Sequence, residues 1–283
     1  MATEFVTLSD GNELYVHRSG AGPPLVFVHG LFGLVEHWQF QLSVFATDID
    51  LIAYDLRGSG RSSKPIAETY PIEQHARDLA EVLGHLEVDA PAVVVGHSMG
   101  SCVALAFALA HPDRVQGLVL IDGFGRGEHC LVGFEQMRES VSSKKTLVPL
   151  FKRVSFGASF RWHPQGDAIA TWCAEEACKL PLEAIFASAR GFSAFNALDR
   201  LGEISVPTLV VVGDQDWSCP LDPSSRALAD GIPDTELSVL HCGHFPMLEA
   251  AEPFNAALAT FLRERIGMPV PDEAPDATTG ARG

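Results

Sequence analysis

The sequence runs to 283 residues, 47% hydrophobic and 20% charged, which is enough apolar material for one large core or a core with an insertion. Lys and Arg number 20 against 36 Asp and Glu, a formal charge of −16 that excludes nucleic acid as an expected partner, because phosphate contacts need a basic face. Met1-Ala2-Thr3-Glu4-Phe5 lacks the basic and apolar regions of a secretory signal, and no apolar run is long enough to span a bilayer, so a cytoplasmic protein without a membrane partner is predicted.

Short β-type runs alternate with helical patterns from the start of the chain. Phe5 to Leu8 and Glu13 to His17 read as a hairpin around Ser9-Asp10-Gly11-Asn12. Pro24 to Val28 and Leu51 to Tyr54 follow, apolar without alternation, as expected of strands buried on both faces. Arg57 and Arg61 sit on the Gly-rich loop after Tyr54; the spacing is not G-x-G-x-x-G, so the loop reads as structural rather than phosphate-binding. Between Ile72 and Leu86 the apolar residues recur with helical period, with His75 on the packed face.

Ala92 to Val95 then leads through Gly96-His97-Ser98-Met99-Gly100 into a helix of small residues. A strand that reverses into a helix within about two residues forces Ser98 into a strained backbone conformation, tolerable where Gly96 and Gly100 carry no Cβ. The hydroxyl is then exposed at the strand tip, and the first N–H groups of the helix point at any oxyanion formed there.

Gly117 to Ile121 is the next strand, followed by Asp122. From about Phe124 to Leu201 the alternation stops, and aromatics recur in short helical patterns separated by Gly and Pro. An insertion over the carboxyl ends of the strands would present part of these side chains to an apolar substrate and use the rest as its own small core. Thr208 to Val212 is a buried strand ending in Gly213-Asp214-Gln215-Asp216, and Glu236 to Leu240 precedes His241-Cys242-Gly243-His244. A helix from about Pro253 to Ile266 closes the domain. The predicted organisation is a core over 1–123 and 202–266, a helical lid over 124–201, and a disordered tail over 267–283 rich in Pro, Asp, Thr and Gly.

A serine nucleophile needs a base, itself oriented by a carboxylate. The chain supplies both after the elbow, in the order Ser98, Asp216, His244. Asp214 and Asp122 are the competing acids; His241 reads as a packing or capping residue, His97 as a brace for the elbow, and His29 as a tie between its loop and neighbouring backbone. The six cysteines, Cys102, Cys130, Cys173, Cys178, Cys219 and Cys242, show no C-x-x-C or zinc-type spacing, so reduced thiols, no metal and no cofactor are expected.

Four segments carry a family resemblance: Val28-His29-Gly30-Leu31-Phe32-Gly33, Asp55-Leu56-Arg57-Gly58-Ser59-Gly60-Arg61-Ser62, the elbow at Gly96 to Gly100, and Gly213 to Asp216 with Gly243-His244. Over about Phe5 to Ile266 the chain resembles the α/β-hydrolase superfamily. The resemblance implies a mostly parallel eight-stranded sheet flanked by helices with a helical lid. It also implies Ser98 as nucleophile, His244 as general base and acid, and Asp216 as the orienting carboxylate. The backbone N–H groups of Leu31 and Met99 would form the oxyanion hole, their side chains also lining the pocket, with His29, Phe32, Trp162, Trp217 and Phe245 as further pocket residues.

Relatives that open epoxides or displace halide carry Asp at the elbow, so Ser98 points to acyl transfer to water. The expected reaction is cleavage of an ester, lactone or related acyl bond of a small, largely apolar substrate. A carbon–carbon bond hydrolase or a cofactor-free perhydrolase would use the same triad, and a small-molecule receptor on this fold would retain it. The expected assembly is a monomer or homodimer.

Overall fold

Eight strands form, at β1 (Ala2–Thr7), β2 (Glu13–Ser19), β3 (Pro24–Val28), β4 (Asp50–Tyr54), β5 (Ala92–His97), β6 (Val115–Ile121), β7 (Thr208–Gly213) and β8 (Thr235–Leu240). β3, β4, β5 and β7 are buried along their whole length, as their unbroken apolar runs require. The computed structural model describes residues 2–141 and 144–270. The strands make one sheet in the order β1-β2-β4-β3-β5-β6-β7-β8. β2 is antiparallel to both β1 and β4, and every other pair is parallel.

The helices are α1 (Gln39–Phe45), α2 (Ile72–His85), α3 (Met99–Ala110), α4 (Phe134–Ser140), α5 (Lys144–Ser155), α6 (Ala158–Trp162), α7 (Pro164–Ala177), α8 (Leu182–Ser193), α9 (Arg226–Gly231), α10 (Pro246–Glu249) and α11 (Ala251–Phe261). α2 packs beside α3 and α1 beside α11, the two helical layers that parallel crossovers lay on a sheet. α3 is buried on every side from Met99 to Ala108, which only a helix of Ala, Val, Leu, Cys and Phe tolerates. α4 to α8 all lie between β6 and β7, in the segment read as an insertion.

The arginines of the Gly-rich loop are paired inside the protein. Arg57 makes a two-pronged contact with buried Asp78 at 2.7 and 2.8 Å and a third with Asp10 at 2.7 Å. Arg61 binds Asp55 at 2.9 Å and Glu36 at 2.6 Å, and its guanidinium lies 3.6 Å from the Tyr15 ring centroid. Each guanidinium is thus committed to fixing the loop.

The first residues of the expected tail, 267–270, are packed onto the protein rather than disordered. Met268 and Val270 are buried against the core, because two apolar side chains follow the left-handed turn at Gly267 (φ +80°). Residues 271–283 lie outside the described part of the chain.

Two buried imidazoles make folding pH-dependent. His37 packs edge-on between Trp172 and Phe245, and His75 packs against Tyr70; neither ring has a hydrogen-bond partner among the described residues. Burial lowers their pKa to about 3 and about 4. The folded protein keeps both neutral, while the unfolded chain takes up protons near the ordinary histidine value. Their contribution is therefore complete above about pH 6.5 and lost as pH falls toward 4 and then 3. His75→Leu is expected to remove up to about 3 kcal/mol of the stability difference between pH 7 and pH 4, at about 1.4 kcal/mol per pKa unit. Urea unfolding of both proteins at the two pH values checks it; equal pH dependence contradicts it.

Candidate active site

Ser98 leaves the carboxyl end of β5, an inner strand with β3 on one side and β6 on the other. Its backbone sits at φ 53°, ψ −120°, a strained conformation that costs on the order of 1–3 kcal/mol. Two backbone hydrogen bonds hold it there. Ser98 N–H donates to the Ile121 carbonyl at 2.8 Å, and the Ser98 carbonyl accepts from Ser101 N–H at 2.9 Å. The glycines at the elbow are steric requirements: a Cβ at Gly96 would lie 2.3 Å from the Gly100 carbonyl oxygen, and one at Gly100 would lie 2.2 Å from that of Val28.

The loop after β3 presses on the serine. A Cβ on Gly30 would stand 2.8 Å from Ser98 Cβ, so the backbone next to Leu31 passes directly beside the nucleophile candidate. His29 fixes this loop. Its Nε2 accepts from Leu56 N–H at 2.9 Å, so Nδ1 carries the proton and donates to the Gly30 carbonyl at 2.7 Å. Leu31 thus comes beside Ser98 through its loop and Met99 follows it in sequence, with Met99 N–H in the first turn of α3, where helix geometry offers no carbonyl partner.

β8 delivers His244 through a loop held from several sides. His244 N–H donates to the Ser155 carbonyl at 2.8 Å, tying the loop to the end of α5. His97 Nε2 donates to the His244 carbonyl at 2.6 Å, so its side chain is tied to the histidine loop. The Glu249 carboxylate accepts from Gly243 N–H at 3.0 Å, Phe245 N–H at 3.1 Å and Gly157 N–H at 2.8 Å. Sequence reading missed Glu249; the only signal was an acid in the first turn of a short helix right after the histidine, where the N-terminal dipole favours it.

Three acids competed for the imidazole, and distance separates them. Asp216 Oδ2 lies 2.7 Å from His244 Nδ1, while Oδ1 accepts from Ser218 N–H at 2.7 Å and Cys219 N–H at 3.1 Å. Asp214 instead pairs at 2.8 Å with His241, which is exposed at the surface rather than packed or capping. Asp122 is fully buried at φ 44°; its Oδ1 accepts from Gly213 N–H at 2.8 Å, and Oδ2 has no partner among the described residues. Burial, followed by the charge of Asp216, pushes the Asp122 carboxyl well above the usual carboxylate range.

Burial alone would lower the His244 pKa. The charge of Asp216 and the hydrogen bond to it outweigh that, raising it to about 9. With Asp216 as acceptor, the proton sits on Nδ1 and Nε2 is the basic nitrogen.

Ser98 and His244 open into one cavity walled mainly by Leu31, Phe32, Leu147, Phe151, Phe192 and Phe245. Four expected pocket side chains lie elsewhere. Trp162 is 87% exposed, because it ends α6 while Phe160 of the same helix stacks on Phe156 at 5.7 Å and takes the inward position. Trp217 is 73% exposed, because the neighbouring Asp216 turns inward to its two N–H donors. His29 is spent on its loop ties, and the Met99 side chain packs in the core beneath the elbow. Conversely, Met137, Leu147 and Val154 line the cavity from α4 and α5, which helical periodicity alone could not aim.

Among the described residues, two groups could bring three ligand atoms within 4.8 Å for a metal: His97, Asp122 and His244, and Asp216, Cys219 and His244. The hydrogen bonds above already occupy His97 Nε2 and His244 Nδ1, so both groups read as parts of one hydrogen-bonded assembly. No helix among the described residues is long and apolar enough to cross a membrane.

A mostly parallel sheet with a strained serine at an inner strand tip and a carboxylate-bound histidine after the strand three places away defines a hydrolase of the α/β class. Residues 23–151 match the family described as alpha/beta hydrolase fold. RutD of Azorhizobium caulinodans, a candidate carbamate hydrolase by its name, is 31% identical over 264 residues, spanning 89% of this chain and 96% of its own. The solved structure of Est816, described as an N-acyl homoserine lactone degrading enzyme, is 33% identical with a TM-score of 0.81 and covers 91% of this chain and 100% of that one. The 2-hydroxymuconate semialdehyde hydrolase of Pseudomonas sp. strain CF600 is 28% identical over 271 residues, 91% of this chain and 93% of its own. The chain belongs to the α/β-hydrolase family.

Proposed function

We propose that this hydrolase cleaves the carboxylic ester or lactone bond of a small, largely apolar substrate through an acyl-enzyme on Ser98. The observation that carries the reading is that Ser98 and the Asp216-bound His244 face the same apolar cavity. His244 Nε2 takes the Ser98 proton as Oγ attacks the carbonyl, and the Leu31 and Met99 N–H groups receive the oxyanion. His244 then protonates the leaving alcohol, Asp216 stabilising the imidazolium throughout. Water, deprotonated by the same nitrogen, releases the acid. The segment carrying α4 to α8 acts as the lid and sets substrate size.

The similarity to a lactone-degrading protein supports an ester-type carbonyl, and the apolar wall supports an aliphatic or aromatic acyl group. The relative that hydrolyses 2-hydroxymuconate semialdehyde favours carbon–carbon cleavage as the second reading. A panel of p-nitrophenyl esters, acyl lactones, an alkyl carbamate and a vinylogous diketone, ranked by kcat/KM, separates them. Esters or lactones are expected to lead by at least tenfold, and kcat/KM is expected to rise about fourfold per added acyl methylene until the cavity is filled, given ~0.8 kcal/mol per buried CH₂. A diketone or carbamate at the head of the ranking overturns the proposal.

A further inference from the structure

None of the cysteines is in a disulfide, and two of them lie on hydrogen-bonded neighbouring segments beside the residues just described. Cys130, half-buried, lines the cavity that holds Ser98 and also a second surface pocket with Phe134 and Arg190. Cys219 is fully buried three residues beyond Asp216, and its own backbone N–H holds Asp216 Oδ1 at 3.1 Å. Leu131 N–H donates to the Ser218 carbonyl at 2.8 Å, which lays the two chain segments side by side immediately next to the cysteines.

The sulfurs are unequal. Interaction with the neighbouring Cys219 thiol, against the opposing effect of burial, draws the Cys130 thiol below its ordinary pKa. Burial, reinforced by Cys130, drives the Cys219 thiol up. One thiol therefore lines a cavity and ionises more readily than an ordinary cysteine, with a second on the neighbouring segment as a resolving group.

We propose that Cys130 and Cys219 form an oxidation site for small hydroperoxides, closing to a disulfide that ties the base of the inserted segment to the Asp216 loop. The Cys130 thiolate attacks the peroxide: an S–O bond forms, the O–O bond breaks, and hydroxide leaves to be protonated to water. Cys219 sulfur then attacks the resulting sulfenic acid; the S–S bond forms, the S–O bond breaks, and the departing hydroxide takes up the Cys219 proton. The sum is two thiols and one hydrogen peroxide to one disulfide and two waters. Bringing the sulfurs to about 2.05 Å displaces the backbone that holds Asp216 and alters the cavity wall at Cys130.

The test treats the full-length protein with hydrogen peroxide, blocks the remaining thiols with iodoacetamide and maps non-reduced tryptic peptides by mass spectrometry. The expected result is a linked Cys130 and Cys219 peptide pair, with titratable thiols falling from six to four and returning to six with dithiothreitol. In Cys219→Ser no link forms and dimedone captures a sulfenic acid on Cys130; in Cys130→Ser the five remaining thiols resist the same dose. A link between other cysteines, Cys130 advancing to sulfinic acid without a link, or six unreacted thiols overturns the proposal. Ester hydrolysis is expected to fall at least tenfold as the link forms and to recover on reduction. This last readout alone rests on the function proposed above: a mapped disulfide in a protein inactive on every ester counts against that function and not against the oxidation site.

Discussion

Ser98→Ala is expected to lower kcat/KM for p-nitrophenyl esters by roughly 10⁴-fold or more, the scale on which loss of a triad nucleophile is felt in serine hydrolases. In free-energy terms that is about 5.5 kcal/mol or more of transition-state stabilisation, at about 1.4 kcal/mol per tenfold. The fold survives the change. Alanine keeps the Cβ already accommodated at φ 53°, and the bonds from Ser98 N–H to Ile121 and from Ser101 N–H to the residue 98 carbonyl are backbone interactions. Circular dichroism and Tm are therefore expected to match the parent while turnover disappears. A variant within tenfold of the parent would remove Ser98 from the reaction.

Asp216→Asn is expected to have the second largest effect, a drop of about 10³- to 10⁴-fold in kcat, because an amide can present its N–H to the imidazole and select the wrong tautomer. The same substitution moves the pH profile. His244 acts as a base only when neutral, and its pKa is raised to about 9 chiefly by Asp216 acting against burial. In the parent, kcat/KM should therefore climb through neutral pH with a midpoint above 6.5, toward 9; in Asp216→Asn the residual activity should reach its plateau at lower pH. Asp214→Asn is the control, since Asp214 pairs with exposed His241, and its profile should overlay the parent's. A parent midpoint at or below 6.5, or an Asp214→Asn loss as large as that of Asp216→Asn, contradicts the assignment.

The fold is legible in this sequence because its strands are buried on both faces: Pro24 to Val28 and Val93 to Val95 have no polar residues to alternate, and few structures other than an inner parallel strand accept such runs. The elbow is legible for a related reason. The strand, the paired glycines and the small-residue helix each limit the backbone, and together they leave Ser98 little choice of conformation. Spacing alone marks Asp216 and Asp214 alike after β7; the family resemblance favours Asp216, and in the structure Asp216 lies 2.7 Å from His244 while Asp214 pairs with His241.

The cavity wall was the least legible part. Phe151 and Phe156 face inward and Trp162 outward through helix packing between α5, α6 and α7, a tertiary arrangement that aromatic content does not encode. Trp217 was misplaced for a local reason: the carboxylate beside it takes the inward direction. Glu249 and the Cys130 and Cys219 pair carried no spacing signal, since their partners lie in segments far apart in the chain.

The most direct test of the central claim is covalent labelling of the native protein with a fluorophosphonate, which reports an activated serine without requiring a known substrate. The account predicts one phosphonyl group per chain, mapped by peptide mass spectrometry to Ser98, lost in Ser98→Ala and strongly slowed in Asp216→Asn. A folded protein that stays unlabelled, or carries the label on another residue, would contradict it.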